Sequence, residues 1–167
     1  KTVFISGHTG FKGSWLSIWL NLLGAKVIGC SIDIPTDPSN FVASDMRSFI
    51  DDNRLDIRDV QGVKMLLKDC RPDFIFHLAA QSLVRPSYES PLDTLTTNAI
   101  GSANILDSLT ALDRDIIAIM ITSDKAYDNV EWPWGYRETD RLGGKDPYSA
   151  SKGMAELAIR SYVESFF

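Results

Sequence analysis

The first fifteen residues constrain the fold more than any other stretch of the chain. Thr2 to Ser6 is a short β-branched and aromatic run. It passes directly into Gly7-His8-Thr9-Gly10-Phe11-Lys12-Gly13, and then into residues that are apolar at helical spacing, Trp15, Leu16, Ile18, Trp19, Leu22 and Leu23, ending at Gly24. A strand, a glycine turn and a helix in immediate succession belong to an α/β architecture. The glycines allow a tight turn, close backbone approach to a pyrophosphate and close helix packing. The helix start adds free N–H groups and the positive end of a dipole. The spacing is GxxGxxG rather than GxGxxG, and the whole loop, Gly7, His8, Thr9, Gly10, Phe11, Lys12 and Gly13, is the candidate cofactor cradle. His8 and Lys12 could each reach a phosphate, or serve as a structural histidine and a solvated charge. Trp15 and Trp19 are expected in the core.

The remainder continues the alternation. Lys26 to Ile32 reads as a strand, Ile34 to Asn40 as a proline-containing loop, and Ser48 to Leu55 as a weak strand. Asp59 is placed to cap a helix running to Cys70, stopped by Arg71-Pro72. Asp73 to Ala80 is a buried strand, Tyr88 to Ala111 holds a long helix beginning near Pro91, and Asp115 to Thr122 is the most apolar strand. A long polar loop, Ser123 to Pro147, precedes a helical run from Tyr148 to Phe167. Apolar strands alternating with helices predict a parallel, doubly wound sheet covered on both faces. Its ligands lie at the carboxyl ends of the strands, near the topological switch point.

Composition narrows the function. Asp and Glu outnumber Lys and Arg by 22 to 17, a net charge of −5, which disfavours a nucleic-acid partner. No stretch approaches the roughly 20 apolar residues of a membrane helix, and no signal peptide is visible. Cys30 and Cys70 make neither a disulfide framework nor a metal site, and read as buried small hydrophobes of a reducing, cytoplasmic setting.

The chemistry-bearing residues fall after the strands. Tyr148 and Lys152, four apart, share one helix face. A tyrosine ordinarily ionises near pH 10, so a tyrosine base working near neutrality needs positive charge beside it, as a lysine ammonium supplies. Ser123-Asp124-Lys125 closes the fifth strand. With the glycine loop, Asp56-Ile57-Arg58, His77-Leu78-Ala79-Ala80-Gln81, Thr97-Asn98 and Pro147-Tyr148 to Lys152, essentially the whole chain resembles the extended short-chain dehydrogenase/reductase superfamily. Asp124-Lys125, the Gly7 to Trp15 stretch and Asp128-Asn129-Val130-Glu131-Trp132 through Gly135-Tyr136-Arg137-Glu138 resemble, within it, the CDP-glucose 4,6-dehydratases.

That resemblance implies a Rossmann-type NAD-binding domain over residues 1–167, with strand order 3-2-1-4-5, lacking later strands and a substrate domain. It implies that Asp56 and Ile57 border the adenine, that Leu78, Ala79, Ala80 and Gln81 line the cofactor, and that Asn98 joins the cofactor side and supports the catalytic tyrosine. In the implied reaction, which converts CDP-glucose to its 4-keto-6-deoxy product, Tyr148 is the base at the C4 hydroxyl and Ser123 holds the C4 oxygen. Lys152 binds the cofactor ribose and assists Tyr148, and Asp124 protonates the departing C6 hydroxyl. Lys125 is either the C5 base or an electrostatic partner of the enolate. Ser31 stands where such domains usually carry an acid for the adenosine ribose, with Asp33 two residues on and no arginine for a 2′-phosphate, so NAD is expected over NADP. Arg85, Tyr88, Trp132, Trp134, Tyr136 and Arg137 are candidates for the sugar site. The resemblance also implies a homodimer through helices near 91–111 and 148–167, with Ile105, Leu109 and Leu112 available. An epimerase or reductase of the same superfamily and a non-catalytic dinucleotide-binding module are the alternatives. The strand-like start and the Phe166-Phe167 end suggest a piece of a longer chain, expected on its own to fold poorly or turn over little.

Overall fold

The structure, a computed structural model, describes residues 1–167. Five strands, β1 (Thr2–Ser6), β2 (Lys26–Ser31), β3 (Asp51–Arg54), β4 (Phe74–His77) and β5 (Ile117–Met120), form one sheet in the order β3-β2-β1-β4-β5. Every pairing is parallel; Ser6 lies opposite Cys30 on one side and His77 on the other. The expected doubly wound order is therefore present, with the reversal between β1 and β4.

Alternation along the strands separates two cores. Phe4, Ile28, Cys30 and Ile75 point to one face, under α3 (Val60–Cys70) and α6 (Gly101–Thr110), where Val63, Leu67, Ile105 and Leu109 complete the cluster. Val3, Ile5 and Val27 point to the other, against α1 (Phe11–Leu22) and the short α2 (Asn40–Ala43), with Phe41, Met46 and Ile50. Each such side chain contributes about 1.5–3 kcal/mol when fully buried. Ile105 and Leu109 are thus core residues and not part of an outer surface. Cys30 is buried and burial pushes its thiol up to about 12, whereas Cys70 is only partly buried.

Helix boundaries follow local chemistry. Asp59 caps α3 by accepting from the Gly62 N–H, and Arg71 ends it in the left-handed conformation. The expected long helix is broken: α4 (Val84–Glu89) ends at Ser90, and α5 (Pro91–Leu95) passes through a π-helical turn, Thr96–Ile100, into α6. The last helix, α7 (Pro147–Phe166), starts at Asp146, whose carboxylate accepts from the Ser149 N–H at 2.9 Å. No helix is long and apolar enough to cross a membrane.

Two expectations are corrected. Trp15 and Trp19 are 56% and 64% exposed, on the outer side of α1 with Phe11, Leu22 and Leu23. The fully buried residues of α1 are Gly13, Ser14 and Ser17, whose small side chains let the helix come close; Leu16, Ile18 and Leu20 pack partly buried beside them, and the two tryptophans fall on the far side. Nor is the sheet covered everywhere: β5 is an outer strand, with Ile117 and Ile121 exposed.

A buried polar chain crosses the switch point. The Ser102 hydroxyl donates to the Asn98 carbonyl at 2.6 Å, so it accepts from His77 Nε2 at 2.9 Å. That fixes the neutral Nε2–H tautomer and leaves Nδ1 to accept from the Ser6 hydroxyl at 2.6 Å, which in turn accepts from the Ala79 N–H at 3.3 Å. Burial, with the Lys152 charge, pushes the His77 ring down to about 3. The folded value lies below the ordinary 6.5, so the unfolded chain binds the proton first, and stability drains as pH falls from about 6.5 toward 3. At pH 5 the loss from this group is about 2 kcal/mol. Urea unfolding at pH 7 and pH 5 is expected to show that difference in the natural chain and to show it reduced in His77→Gln; equal pH dependence in the two would contradict it.

Candidate functional site

The glycine loop is built by two contacts and one vacancy. Gly7 has φ +80°, and a Cβ there would lie 2.7 Å from the Ala79 nitrogen; one on Gly13 would lie 2.1 Å from the Gly7 carbonyl oxygen. Both are glycines because backbone occupies the space. Gly10 differs. Its φ −72° and ψ 170° suit any residue, and the nearest atom to an added Cβ is the Gly7 oxygen at 3.4 Å. Packing does not demand glycine there; its effect is to leave the loop's outer surface bare, a cradle that a Cβ would fill. Gly10 also caps α1 without a side-chain hydrogen bond, and no acid sits in the first turn. The N–H groups of Phe11, Lys12 and Gly13 keep their donor capacity for an anion.

The His8 ring does not face this cradle. It is fully buried, with Nε2 2.9 Å from Asp52 Oδ1 and Nδ1 3.0 Å from the Ser31 hydroxyl, edge-on to Phe41. A Cβ on Gly29 would strike it at 2.4 Å. Burial lowers its pKa, with the Asp52 carboxylate opposing. His8 is thus a strut under the loop, and a direct phosphate contact is left to its backbone. Ser31 lies in the same network, 3.4 Å from the Thr9 N–H, and Thr9 bonds the Asp33 carbonyl at 2.7 Å. Asp33 is exposed. Strand pairing also brings Arg54 opposite Ser31, where the sequence shows no arginine nearby. Its guanidinium is held by Asp52 at 2.9 Å and lies over Phe41.

After β3, Asp56 grips Arg58, whose guanidinium holds the carboxyl below its usual range. Ile57 is buried against Gly101, where a Cβ would meet its side chain at 2.5 Å. After β4, Leu78, Ala79, Ala80 and Gln81 are half-buried beside the loop. The Gln81 side chain is spent locally, on Leu83 and on Thr94 at 3.0 Å. Asn98, buried in the π turn, does not present a free amide to a ligand. Its Oδ1 accepts from the Gln81 N–H at 2.8 Å, and its Nδ2 donates to the Gln81 carbonyl at 2.9 Å and to the Ser151 hydroxyl at 2.8 Å. It therefore fixes α7 to the end of β4, as a positioning residue.

At the end of β5, the Ser123 hydroxyl accepts from the Lys125 N–H at 3.2 Å and donates to Asp124 at 3.0 Å; Asp124 and Lys125 are exposed on the turn Asp124–Ala126. Tyr148 and Lys152 are buried on α7, which packs on that turn: Gly153 leaves room for the Ala126 carbonyl, 3.3 Å from where a Cβ would stand. Burial lowers the Lys152 pKa; Glu156 opposes this and Lys12 adds to it. Lys152 thus lies within electrostatic reach of Lys12, at the start of α1, and of His77, at the end of β4. In the long loop, Tyr136 stacks on Tyr127 at 5.2 Å and donates to Asn129, with Trp132 tilted against it. Trp134 is exposed, and so are Arg85 and Tyr88 on α4, where Arg85 pairs with Glu89.

Known proteins resemble this chain in sequence and fold. The GDP-mannose 4,6 dehydratase family profile matches residues 4–167. The chain belongs to that dehydratase family. It is 47% identical over its whole length to the CDP-glucose 4,6-dehydratase of Salmonella typhimurium, of which it spans 46%. The UDP-glucose 4-epimerase of Thermus thermophilus in complex with NAD superposes with a TM-score of 0.84 and 26% identity, over 99% of this chain and 52% of that one. The dTDP-glucose 4,6-dehydratase DesIV of Streptomyces venezuelae, solved with NAD and TYD bound, gives 0.82 at 24% identity over 99% and 52%. The chain spans about half the length of the dehydratases and epimerases it matches.

The last two glycines of the loop separate folding from binding. Gly10→Ala is expected to unfold in urea like the natural chain and to bind NAD at least about tenfold more weakly, a change of about 1.4 kcal/mol. Gly13→Ala is expected to lose about 1–3 kcal/mol of stability through overpacking. Unaltered NAD titration of Gly10→Ala would remove the cradle from the binding site.

Proposed function

We propose that this chain supplies the NAD-binding domain and the redox site of a sugar-nucleotide 4,6-dehydratase acting on CDP-glucose. The observation that carries the reading is the juxtaposition of Ser123-Asp124-Lys125 at the end of β5 with Tyr148 and Lys152 on the helix packed against it. The similarity to the Salmonella enzyme supports CDP-glucose as substrate. The bare cradle at Gly10, the uncapped α1 start and the cationic pair Lys12 and Lys152 fit a dinucleotide pyrophosphate and ribose.

NAD held there supplies a hydride acceptor for C4 of the sugar and a donor for C6 at the end of the cycle. Tyr148 takes the C4 hydroxyl proton, Ser123 holds the oxygen that becomes the ketone, and Lys152 stabilises the phenolate while holding the ribose. The ketone acidifies the C5 proton, which passes to a solvent water at this exposed turn while Asp124 protonates the C6 hydroxyl so that it leaves as water; solvent then returns a proton to C5 as the hydride adds to C6, and another to Asp124. Lys125, exposed on the same turn, serves as the cation that stabilises the C5 enolate. The protein works in the cytoplasm, and a second copy packs on the outer side of α5, the π-helical turn and α7, where Leu92, Ile100, Met154 and Leu157 are exposed. Sedimentation as a monomer at micromolar concentration would contradict that dimer.

The protein carrying this chain, incubated with NAD and CDP-glucose, is expected to give a product with the alkaline absorbance of a 4-keto-6-deoxy sugar. A C4 epimer would point to an epimerase instead, and NAD binding without turnover to a binding module. Asp124→Asn is expected to form the 4-keto intermediate and to lose elimination by about 10²-fold or more. Lys125→Arg, which keeps the charge but cannot act as a base, is expected to retain C5 hydrogen exchange with solvent within about tenfold of the natural enzyme; complete loss of exchange would restore Lys125 as the C5 base.

A further inference from the structure

Neither the Tyr148 hydroxyl nor the Lys152 ammonium is hydrogen-bonded to another residue of this chain, so the orientation of the pair is set by the helix that carries it. That helix is tied on one side by Asn98 to Ser151, at 2.8 Å. On the other side the Thr122 hydroxyl donates to Glu156 Oε1. Glu156 stands four residues past Lys152 and eight past Tyr148, on the same stripe of α7. Thr122 is the residue immediately before Ser123.

We propose that Glu156 is a positioning residue of this site, whose grip on Thr122 locks the end of β5 to α7 and whose carboxylate is the counter-charge of Lys152. Through the first contact it sets where Ser123 lies relative to Tyr148. Through the second it favours the ammonium form of a buried lysine, without a direct ion pair. The surrounding charges leave this task to Glu156. Lys12 of α1 is a like charge, and His77 of β4 is neutral. Asp124 and Lys125, on the turn packed against α7, are exposed, and the Tyr127 hydroxyl beyond them is pushed up by desolvation first and then by Glu138, Glu156 and Asp140. On α6, Asp107 is taken by Lys64 at 2.6 Å and by Tyr162. On α5, Asp93 is taken by Arg58, and on α4 Arg85 and Glu89 pair with each other.

The proposal rests on Tyr148 and Lys152 being the proton-handling pair, and its test does not need turnover. In the protein carrying this chain, labelled with 13C-lysine and with the Lys152 signal assigned by Lys152→Arg, Glu156→Gln keeps an oxygen acceptor for Thr122 and removes the charge. Its Lys152 signal is expected to titrate lower by on the order of one pH unit, the effect of one nearby charge at an effective dielectric constant of about 20. Thr122→Val keeps the charge and removes the strut. Its Lys152 titration is expected to stay within about 0.3 unit of the natural protein, while kcat for the dehydration falls about tenfold at unchanged KM, as expected for lost orientation. An unmoved Lys152 titration in Glu156→Gln would overturn the counter-charge, and full kcat in Thr122→Val would overturn the strut. A protein without dehydratase activity would fail the proposed function, and the titration would still decide the role of Glu156.

Discussion

The close passage of Gly7 across the end of β4 is the constraint on which the rest of the molecule depends. A parallel sheet that reverses its winding between β1 and β4 opens a crevice there, and here the chain leaving β1 turns in the left-handed conformation with its Cα almost against the Ala79 backbone. A Cβ at that point would push the two strand ends apart. The Ser6–His77 hydrogen bond holds the same two strands from below. With that distance fixed, α1 can start directly above the crevice, and the loop after β4 forms its opposite wall.

Three buried polar networks then transmit this geometry outward. Ser6, His77 and Ser102 join β1, β4 and α6; His8, Ser31 and Asp52 join the loop, β2 and β3; Asn98 joins the end of β4 to α7. Each would be a liability if incomplete, since an unpaired buried polar group costs about 1–3 kcal/mol. None is: no buried side-chain nitrogen or oxygen lacks a partner. The completeness of the His77 chain depends on a neutral ring. Protonated Nδ1 would face a hydroxyl already donating to it, which is why burial and the nearby Lys152 keep the proton off.

The strands and their order were legible because apolar runs of this length between turn residues have few other uses, and the glycine loop because its context is so restrictive. Trp15 and Trp19 were misplaced because periodicity reports which residues share a helix face, not which face is inside. The decision lay with Gly13, Ser14 and Ser17, whose smallness matters only once Gly7 is known to stand 2.1 Å from where a Gly13 side chain would begin. The sequence left His8 open between a phosphate contact and a structural histidine, because the partners that decide for the second, Ser31 and Asp52, are on other strands. The specific contacts Asn98–Ser151 and Thr122–Glu156 were not legible in the residue pattern, since each pair spans 34 residues or more; only the family resemblance tied Asn98 to the tyrosine, and nothing pointed to Glu156. Tyr148 and Lys152 were legible for the opposite reason: their partnership is four residues long.

This contrast follows from what the site must do. The groups proposed to meet substrate and cofactor, namely the outer face of Gly10, the N–H groups opening α1, the Tyr148 hydroxyl and the Lys152 ammonium, keep their hydrogen-bonding capacity free of other residues of the chain. On the proposed reading each is aimed instead by near neighbours: Gly10 by Gly7 and Gly13, Tyr148 and Lys152 by Ser151 and Glu156, and Ser123 by Thr122. A reacting group that bonded strongly to its own protein would have to break that bond before meeting a ligand, whereas a group aimed by its neighbours meets it without reorganisation. The residues that react are therefore short-range and readable in the sequence, and the residues that aim them are long-range and appear only when the chain is folded.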